Sequence, residues 1–139
     1  MAPASPAATS IPEETNLNCT AVGKVLLAYM EEEKLREFLL KHRFMRHTSR
    51  TIASADALIE EVRRVRRVGY AYDDEEEELF VRCLAVPVFD PDGGATVNTL
   101  GITGSVNEIR PDNFKHLSEY MKQMSAQIFG GTTTPVCTG

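Results

Sequence analysis

Two clusters of charged residues are the first candidates for chemistry in this sequence. Six consecutive carboxylates occupy residues 73–78, and four arginines stand within residues 63–67. Arginines are typical of phosphate binding, but these four lie where we predict the last turns of a helix, whose dipole favours cations. A run of carboxylates is most often a solvated face. We therefore interpret both clusters as surface charge.

Three other patterns resemble known sites without completing them. Residues 20–25 (TAVGKV) resemble a phosphate-binding loop, but its first glycine is missing and Val25 replaces the hydroxyl that would hold magnesium. The DPDGG segment at 90–94 opens like a calcium loop, yet its twelfth position is Gly101 instead of a glutamate. The histidines and cysteines have no metal-ligand spacing. We therefore predict neither a metal nor a cofactor.

Cys83 is the candidate nucleophile. A catalytic cysteine needs a neighbouring base, and residues 79–89 are apolar except for Arg82. We therefore predict a buried or pocket-lining thiol, and a protein that is not an enzyme.

Helical patterns must position these residues. Thr20 is a suitable cap for a helix that begins at Ala21, and Ser54 for a later helix that Gly69 ends. Residues 31–42 predict a helix between them, with Glu32/Arg36 and Glu37/Lys41 at i,i+4. Its predicted buried stripe is Leu35, Phe38 and Leu39. A last helix follows Pro111, since apolar residues recur there at spacings of three and four. These residues are Phe114, Leu117, Met121, Met124 and Ile128.

Strand patterns lie between the helices. Tyr70 to Tyr72 predicts a short strand, and Leu79 to Phe89 a longer one. The DPDGG turn is too short for a crossover, so residues 96–104 should return antiparallel. We therefore expect an α+β domain with an antiparallel sheet flanked by helices.

Composition favours one soluble domain. Of the 139 residues 42% are hydrophobic and 25% charged, and the net charge of −5 does not suit a chain whose main partner is nucleic acid. Residues 83–89 are the longest apolar run, far short of the ~20 residues a membrane span needs. No secretory signal is evident and the three cysteines suit a reducing compartment, so we predict a cytoplasmic protein without membrane contact. Residues 1–15 and 130–139 lack apolar periodicity, which predicts disordered tails around a folded part at 16–129.

One constellation is specific to a family. Gly69, Asp73 and Glu76 are followed by Cys83-Leu84-Ala85 and Val88-Phe89-Asp90. This spacing resembles the signature segment of the IclR family of bacterial transcriptional regulators. Residues 19–24 (CTAVGK) resemble the family's entry to a pocket helix, 102–104 (ITG) its strand-ending Ile-Ser-Gly, and 50–52 (RTI) a further shared motif.

The resemblance implies a GAF-like domain that binds a small organic acid and joins a winged helix-turn-helix in the parent protein. The chain is similar to the C-terminal part of that domain, without the helix-turn-helix and without the first strands of the sheet. It is then a fragment, or a natural truncation whose missing strands come from a partner chain. We expect a homodimer or tetramer that contacts DNA only through a helix-turn-helix.

The resemblance also implies effector-binding residues. The first turn of a helix, with its free N–H groups, suits a carboxylate. Residues two apart on one strand share a sheet face, as Val81 and Cys83 do and as Gly101 and Thr103 do on the next strand, so these four could form the floor of one pocket. The implied residues are Ala21, Val22, Gly23, Asp73, Val81, Cys83, Gly101 and Thr103. Asp73 is expected to accept a hydrogen bond from the ligand, or else to anchor the turn into the strand.

Two departures from the family bear on the ligand. Phe80 stands where the family usually has glycine, and Gly101 where it often has a serine hydroxyl. A less polar effector than a small keto acid, such as an aromatic acid, would fit. The alternative reading is a stand-alone GAF-like ligand-binding or dimerisation module that does not bind DNA.

Overall fold

The computed structural model describes residues 16–89 and 97–129. The sequence predictions for the two tails and for the 90–94 turn fall outside these residues. The described elements follow in chain order. They are α1 (Ala21–Ala28), α2 (Glu32–Lys41), α3 (Ala55–Val68), β1 (Ala71–Asp74), β2 (Val81–Phe89), β3 (Val97–Ser105), a 3-10 turn (Pro111–Asn113) and α4 (Phe114–Phe129).

The strands form one antiparallel sheet in the order β1-β2-β3. The predicted α+β class is therefore confirmed. β2 begins at Val81 rather than Leu79, because the preceding loop turns sharply: Glu75 and Phe80 have φ of 58° and 70°. The last helix also starts later than predicted, with a 3-10 turn at Pro111 before α4.

Two apolar clusters cover the two faces of the sheet. The first joins α1 and α3 to one face and includes Val25, Leu58 and Ala85, all fully buried. The second joins α4 to the other face and includes Leu84 and Met121. Successive residues of a strand point to opposite faces, so Leu84 and Ala85 belong to different clusters.

The predicted caps are present. The Thr20 hydroxyl accepts a hydrogen bond from the Gly23 amide at 3.0 Å, and the Ser54 hydroxyl accepts one from the Ala57 amide. Gly69 ends α3 in the left-handed conformation, with φ of 85°. These contacts fix where α1 and α3 start and where β1 can begin.

The predicted stripe of α2 faces the domain but is less buried than predicted. Leu35, Phe38 and Leu39 are half-buried against the first apolar cluster, and none of the residues of α2 is fully buried. Neither of the predicted i,i+4 pairs forms an ion pair among the described residues, where α2 instead pairs Lys34 with Glu31. The helix therefore lies on the surface of the domain, with this stripe toward the first apolar cluster.

The carboxylate run is also not a solvated face. Asp73 and Glu76 are buried, and Asp74 pairs with Arg82 at 2.8 Å and with Arg50 at 3.1 Å. Only the end of the run, Glu77 and Glu78, is exposed. Most of these carboxylates therefore hold the β1–β2 loop in place.

Within the described residues, no helix is long and apolar enough to cross a membrane.

Candidate functional site

Three of the predicted site residues form one row across the sheet. Cys83 on β2 lies opposite Asp73 on β1 and opposite Thr103 on β3. The next row on the same face contains Ala85 and Gly101. Because α1 packs on this face, the rows and the start of α1 face one another.

A cavity of about 220 Å³ lies between this sheet face and the start of α1. We call it the sheet pocket. Five of the eight predicted residues line it: Ala21, Val22, Cys83, Gly101 and Thr103. Asn16, Thr20, Glu77, Leu84 and Ile102 complete the lining. Glu77 is the charged member.

The start of α1 is held by its own capping contacts. The Thr20 hydroxyl donates to the Asn16 carbonyl and accepts from the Gly23 amide, each at 3.0 Å. The Ala21 and Val22 amides lie in the first turn, where N–H groups have no intrahelical acceptor. The partial positive charge of the helix end therefore faces the sheet pocket.

Gly23 does not line the sheet pocket but shapes it. A Cβ at this position would lie 2.6 Å from backbone atoms of Leu17 and from the Thr20 hydroxyl. The glycine thus lets the chain before α1 pass directly over the helix. Val81 is half-buried opposite Ser105 and, although predicted, is absent from the lining.

Asp73 is buried and does not line the sheet pocket. It is 1% exposed, and its Oδ1 accepts a hydrogen bond from the Glu76 amide at 2.8 Å. Through this hydrogen bond Asp73 anchors the turn that follows β1, which is one of the two roles that the sequence predicts for it. Burial raises the pKa of its carboxyl to about 7, helped by the charge of Glu76 and opposed by the amide hydrogen bond and by Lys24. Its role as a ligand acceptor stays a prediction.

Cys83 has the environment of a pocket thiol. Its Sγ lies 3.3 Å from the Thr103 hydroxyl. Burial raises the pKa of the thiol to about 12, the Thr103 hydrogen bond lowers it, and the Asp73 carboxylate raises it further. Since the thiolate is the nucleophile, the unreactive thiol favours a binding role.

Sequence reasoning missed a buried ion network beside this row. The Lys24 ammonium is fully buried and donates to Glu61 at 2.9 Å, to Glu76 at 2.8 Å and to the Tyr72 carbonyl at 2.8 Å. Arg64 pairs with Glu61 at 2.9 Å and lies over the Tyr72 ring. The network joins α1, α3 and the β1–β2 loop below the sheet pocket.

The two carboxylates on Lys24 have opposite shifts. Burial opposes ionisation of Glu61, but hydrogen bonds and charge from Arg64 and Lys24 outweigh it and lower its pKa. Burial raises the pKa of Glu76, whose charge Lys24 only partly compensates. The Oε1 atom of Glu76 is buried without a hydrogen-bond partner among the described residues. The negative charge of Glu61 is therefore better compensated than that of Glu76.

The family model for the bacterial transcriptional regulator IclR C-terminal domain matches residues 4–129. The chain belongs to the IclR family. It is 41% identical over 108 residues to the HTH-type transcriptional regulator KdgR of Dickeya chrysanthemi, a match that covers 78% of this chain and 34% of that protein. The chain thus spans about a third of the length of this curated relative.

Solved IclR-family domains share the fold. The C-terminal domain of Escherichia coli KdgR superposes with a TM-score of 0.67 and 37% identity, over 80% of this chain and 66% of that one. The inducer-binding domain of PobR from Acinetobacter, solved as a double mutant with 3-hydroxybenzoic acid, gives a TM-score of 0.71 and 28% identity. It covers 81% of this chain and 63% of that one. The GAF-like α+β fold expected from the IclR resemblance is therefore confirmed.

Phe80 has a left-handed backbone conformation, with a φ of 70°, at a position where the resemblance implies a glycine. Glycine adopts this conformation freely, whereas a bulky side chain does so at a cost. The Phe80 amide donates to Glu75 Oε1 at 3.0 Å and its carbonyl accepts from the Val106 amide at 3.1 Å, which together hold the strained residue.

Proposed function

We propose that this chain is effector-binding sequence of an IclR-type transcriptional regulator, and that the sheet pocket takes a small organic acid. The observation that carries the proposal is the convergence of five predicted residues, from α1, β2 and β3, on one cavity. Membership of a family of regulators supports this reading over catalysis by Cys83 and over a module unrelated to DNA.

The chemistry of the lining defines how an acid would lie. The first-turn amides of Ala21 and Val22 suit its carboxylate. Glu77 repels the same group, so the acid end would point to α1 and away from Glu77. Thr103 offers a hydroxyl to a polar substituent, and the remaining lining is largely apolar.

An aromatic acid fits this lining better than a short keto acid. Gly101 brings no hydroxyl to the sheet pocket, and Ala21 and Val22 offer apolar atoms. The PobR inducer-binding domain, solved with 3-hydroxybenzoic acid, shows that a domain of similar fold can hold such a molecule.

Calorimetric titration with benzoate, 3-hydroxybenzoate and pyruvate tests the proposal. We expect the aromatic acids to bind more tightly, and Thr103→Val to weaken 3-hydroxybenzoate more than benzoate, because only the former can use the hydroxyl. Ser105→Ala, on the same strand outside the lining, is the control. The proposal fails if no acid binds, or if Thr103→Val leaves the binding of all three unchanged.

We further propose that specific DNA binding belongs to a helix-turn-helix outside residues 16–129. In the described ranges α2 follows α1 after a three-residue turn, but α2 carries as many acidic as basic residues and the net charge of the chain is −5, which does not suit a helix that enters a groove of DNA. In a gel shift the chain should bind no operator specifically. Specific binding at submicromolar concentration would contradict this, whereas weak binding that disappears with salt would report only surface arginines.

Assembly into a homodimer or tetramer is part of the same proposal. β3 is an edge strand of the described sheet, and an unpaired edge invites another strand. Sedimentation should therefore show a dimer or larger species for the isolated chain. A stable, well-folded monomer would remove the support that the edge gives to this proposal.

A further inference from the structure

A second cavity lies on the far side of the domain, between the end of α1, α2 and α3. Its volume is about 350 Å³, within the range of small-molecule sites in proteins. We call it the helix groove. Its apolar lining residues are Ala28, Met30, Leu35, Leu39, Ile59 and Val62, and its charged ones are Glu32, Arg36, Arg63 and Arg66.

The helix groove combines an apolar floor with excess positive charge. Arg63 and Arg66 stand three residues apart on α3, so they project from the same side of that helix. Arg36 approaches from α2 on the opposite wall. Glu32 is the carboxylate of the lining, so three cations face one anion there.

These arginines differ from the others near them. Arg64 is held by Glu61, and Arg50 and Arg82 are held by Asp74. Arg36 and Arg63 form no ion pair within the described ranges, and Arg66 only approaches the Tyr29 ring, at 5.9 Å. A guanidinium without an acid is available for bidentate pairing with an external carboxylate.

The apolar side chains that α2 contributes to the helix groove remain partly exposed to water. Leu35 and Leu39 are half-buried, while Val62 and Ala28 below them belong to the core. An apolar group placed in the groove would remove surface of both α2 leucines from water, which is favourable in proportion to the area covered.

We propose that the helix groove binds a small amphipathic carboxylate, an acid whose apolar body lies on Leu35, Leu39 and Ile59 while its carboxylate pairs with the arginines. This site shares no lining residue with the sheet pocket. It does not depend on the function proposed for that pocket. The two sites contact opposite ends of α1, since Ala21 lines one and Ala28 the other.

Calorimetric titration of the full 139-residue chain with 4-phenylbutyrate tests the site, with 4-phenylbutanol as the neutral probe. The acid should bind with a dissociation constant of about 1 mM or lower, and the alcohol at least about tenfold more weakly. Arg63→Gln combined with Arg66→Gln should weaken the acid by at least about tenfold. Both residues are exposed, so this variant should fold, which circular dichroism checks.

Two controls locate the binding. Arg67→Gln removes a neighbouring exposed arginine of α3 that is outside the groove lining, and should leave the affinity unchanged. Gly101→Ala fills space in the sheet pocket that any acid bound there would use, so it should also leave the affinity for 4-phenylbutyrate unchanged. Loss of binding in a Gly101→Ala variant that circular dichroism shows to be folded would assign the acid to the sheet pocket and overturn the proposal.

Several other results would also overturn the proposal. No heat of binding up to about 5 mM acid, equal binding of the alcohol, or unchanged affinity in the double arginine variant each overturns the proposal. If sedimentation shows a dimer that the double arginine variant dissociates, the helix groove is an interface between copies of the chain and the proposal is wrong.

Discussion

Lys24 Nζ lies 2.8 Å from Oε2 of Glu76, with both side chains buried. Lys24 lies near the start of α1, and Glu76 lies in the loop that follows β1, 52 residues later in the chain. Glu76 Oε2 also accepts the Asp74 amide at 3.1 Å. One ammonium therefore fixes the helix that starts at the sheet pocket to the loop that follows Asp73 and carries Glu77.

Replacement of Lys24 by methionine should destabilise the domain strongly. Removal of one partner of a buried pair leaves its carboxylates uncompensated, which typically costs about 3–5 kcal/mol. Urea unfolding measures the loss. Lys34→Met is the control, because Lys34 is 70% exposed in its pair with Glu31 and should matter little.

The double variant Lys24→Met with Glu76→Gln separates charge from shape. It removes the ammonium together with one of its two carboxylates, so we expect it to be more stable than Lys24→Met alone. If the second substitution adds to the damage instead, Glu76 is not stabilised by Lys24 in the way the distances indicate.

Asp73 should make stability depend on pH. Burial raises the pKa of its carboxyl from 3.8 to about 7, so the folded state holds a proton that the unfolded state releases. This contribution to stability is present below about pH 4 and is lost as the pH rises through 7. Asp73→Asn cannot ionise, and its Oδ1 can still accept from the Glu76 amide.

The measurement is urea unfolding of both proteins at pH 5 and pH 8. Asp73→Asn should gain stability relative to the parent chain at the higher pH. Asp74→Asn is the control for loss of a carboxylate, and it should lower stability at both pH values because it removes the pairs with Arg82 and Arg50. Parallel pH profiles for Asp73→Asn and the parent chain would show that Asp73 is already ionised in the folded state at pH 5, against the prediction.

Local patterns are sufficient to predict most of the fold. Thr20, Ser54 and Gly69 set helix ends through contacts with residues within four positions, so the sequence alone indicates their roles. The alternation of faces along β2 and β3 likewise predicts that Cys83 and Thr103 lie on the floor of the same pocket, and the two residues are paired across the strands.

Contacts between distant residues cannot be predicted in this way. Lys24 looks like a surface residue of an amphipathic helix, and only the tertiary fold brings Glu61 and Glu76 to it. The carboxylates of residues 73–76 look solvated for the same reason, since the arginines that pair with them are 8 and 24 residues away from Asp74. The alignment of Asp73 with Cys83 is likewise fixed by strand register rather than by either residue alone.

Cys83 should react slowly with alkylating agents. Burial raises the pKa of its thiol to about 12, against 9.0 for an ordinary cysteine, so very little thiolate exists near pH 8. Iodoacetamide labelling followed by peptide mass spectrometry should give a rate at least about a hundredfold below that of free glutathione. Thr103→Val removes the hydrogen bond that lowers this pKa and should slow the reaction further. A rate equal to that of glutathione would show that the Cys83 thiol is activated and would favour a catalytic role for it.

Gly101→Ala should lower the stability of the domain, because the new methyl group of β3 would collide with Val22 of α1. A Cβ at this position would lie 2.9 Å from Val22 Cγ2, and a valine cannot move its methyl groups away without turning the whole side chain. Overpacking of this kind typically costs about 1–3 kcal/mol. Gly104→Ala on the same strand is the matched control, because its new Cβ would meet only the ends of the Glu108 and Ile109 side chains, at the longer distance of 3.2 Å.

A double-mutant cycle shows whether the clash itself is responsible. Val22→Ala makes room for the new methyl group, so Gly101→Ala should cost less in that background than in the parent chain. Both residues line the sheet pocket, so Gly101→Ala alone should also weaken 3-hydroxybenzoate, because it fills space that the ligand would use. If the two substitutions are additive in urea unfolding, α1 does not rest on β3 at this point, and the sheet pocket between them is not the cavity described.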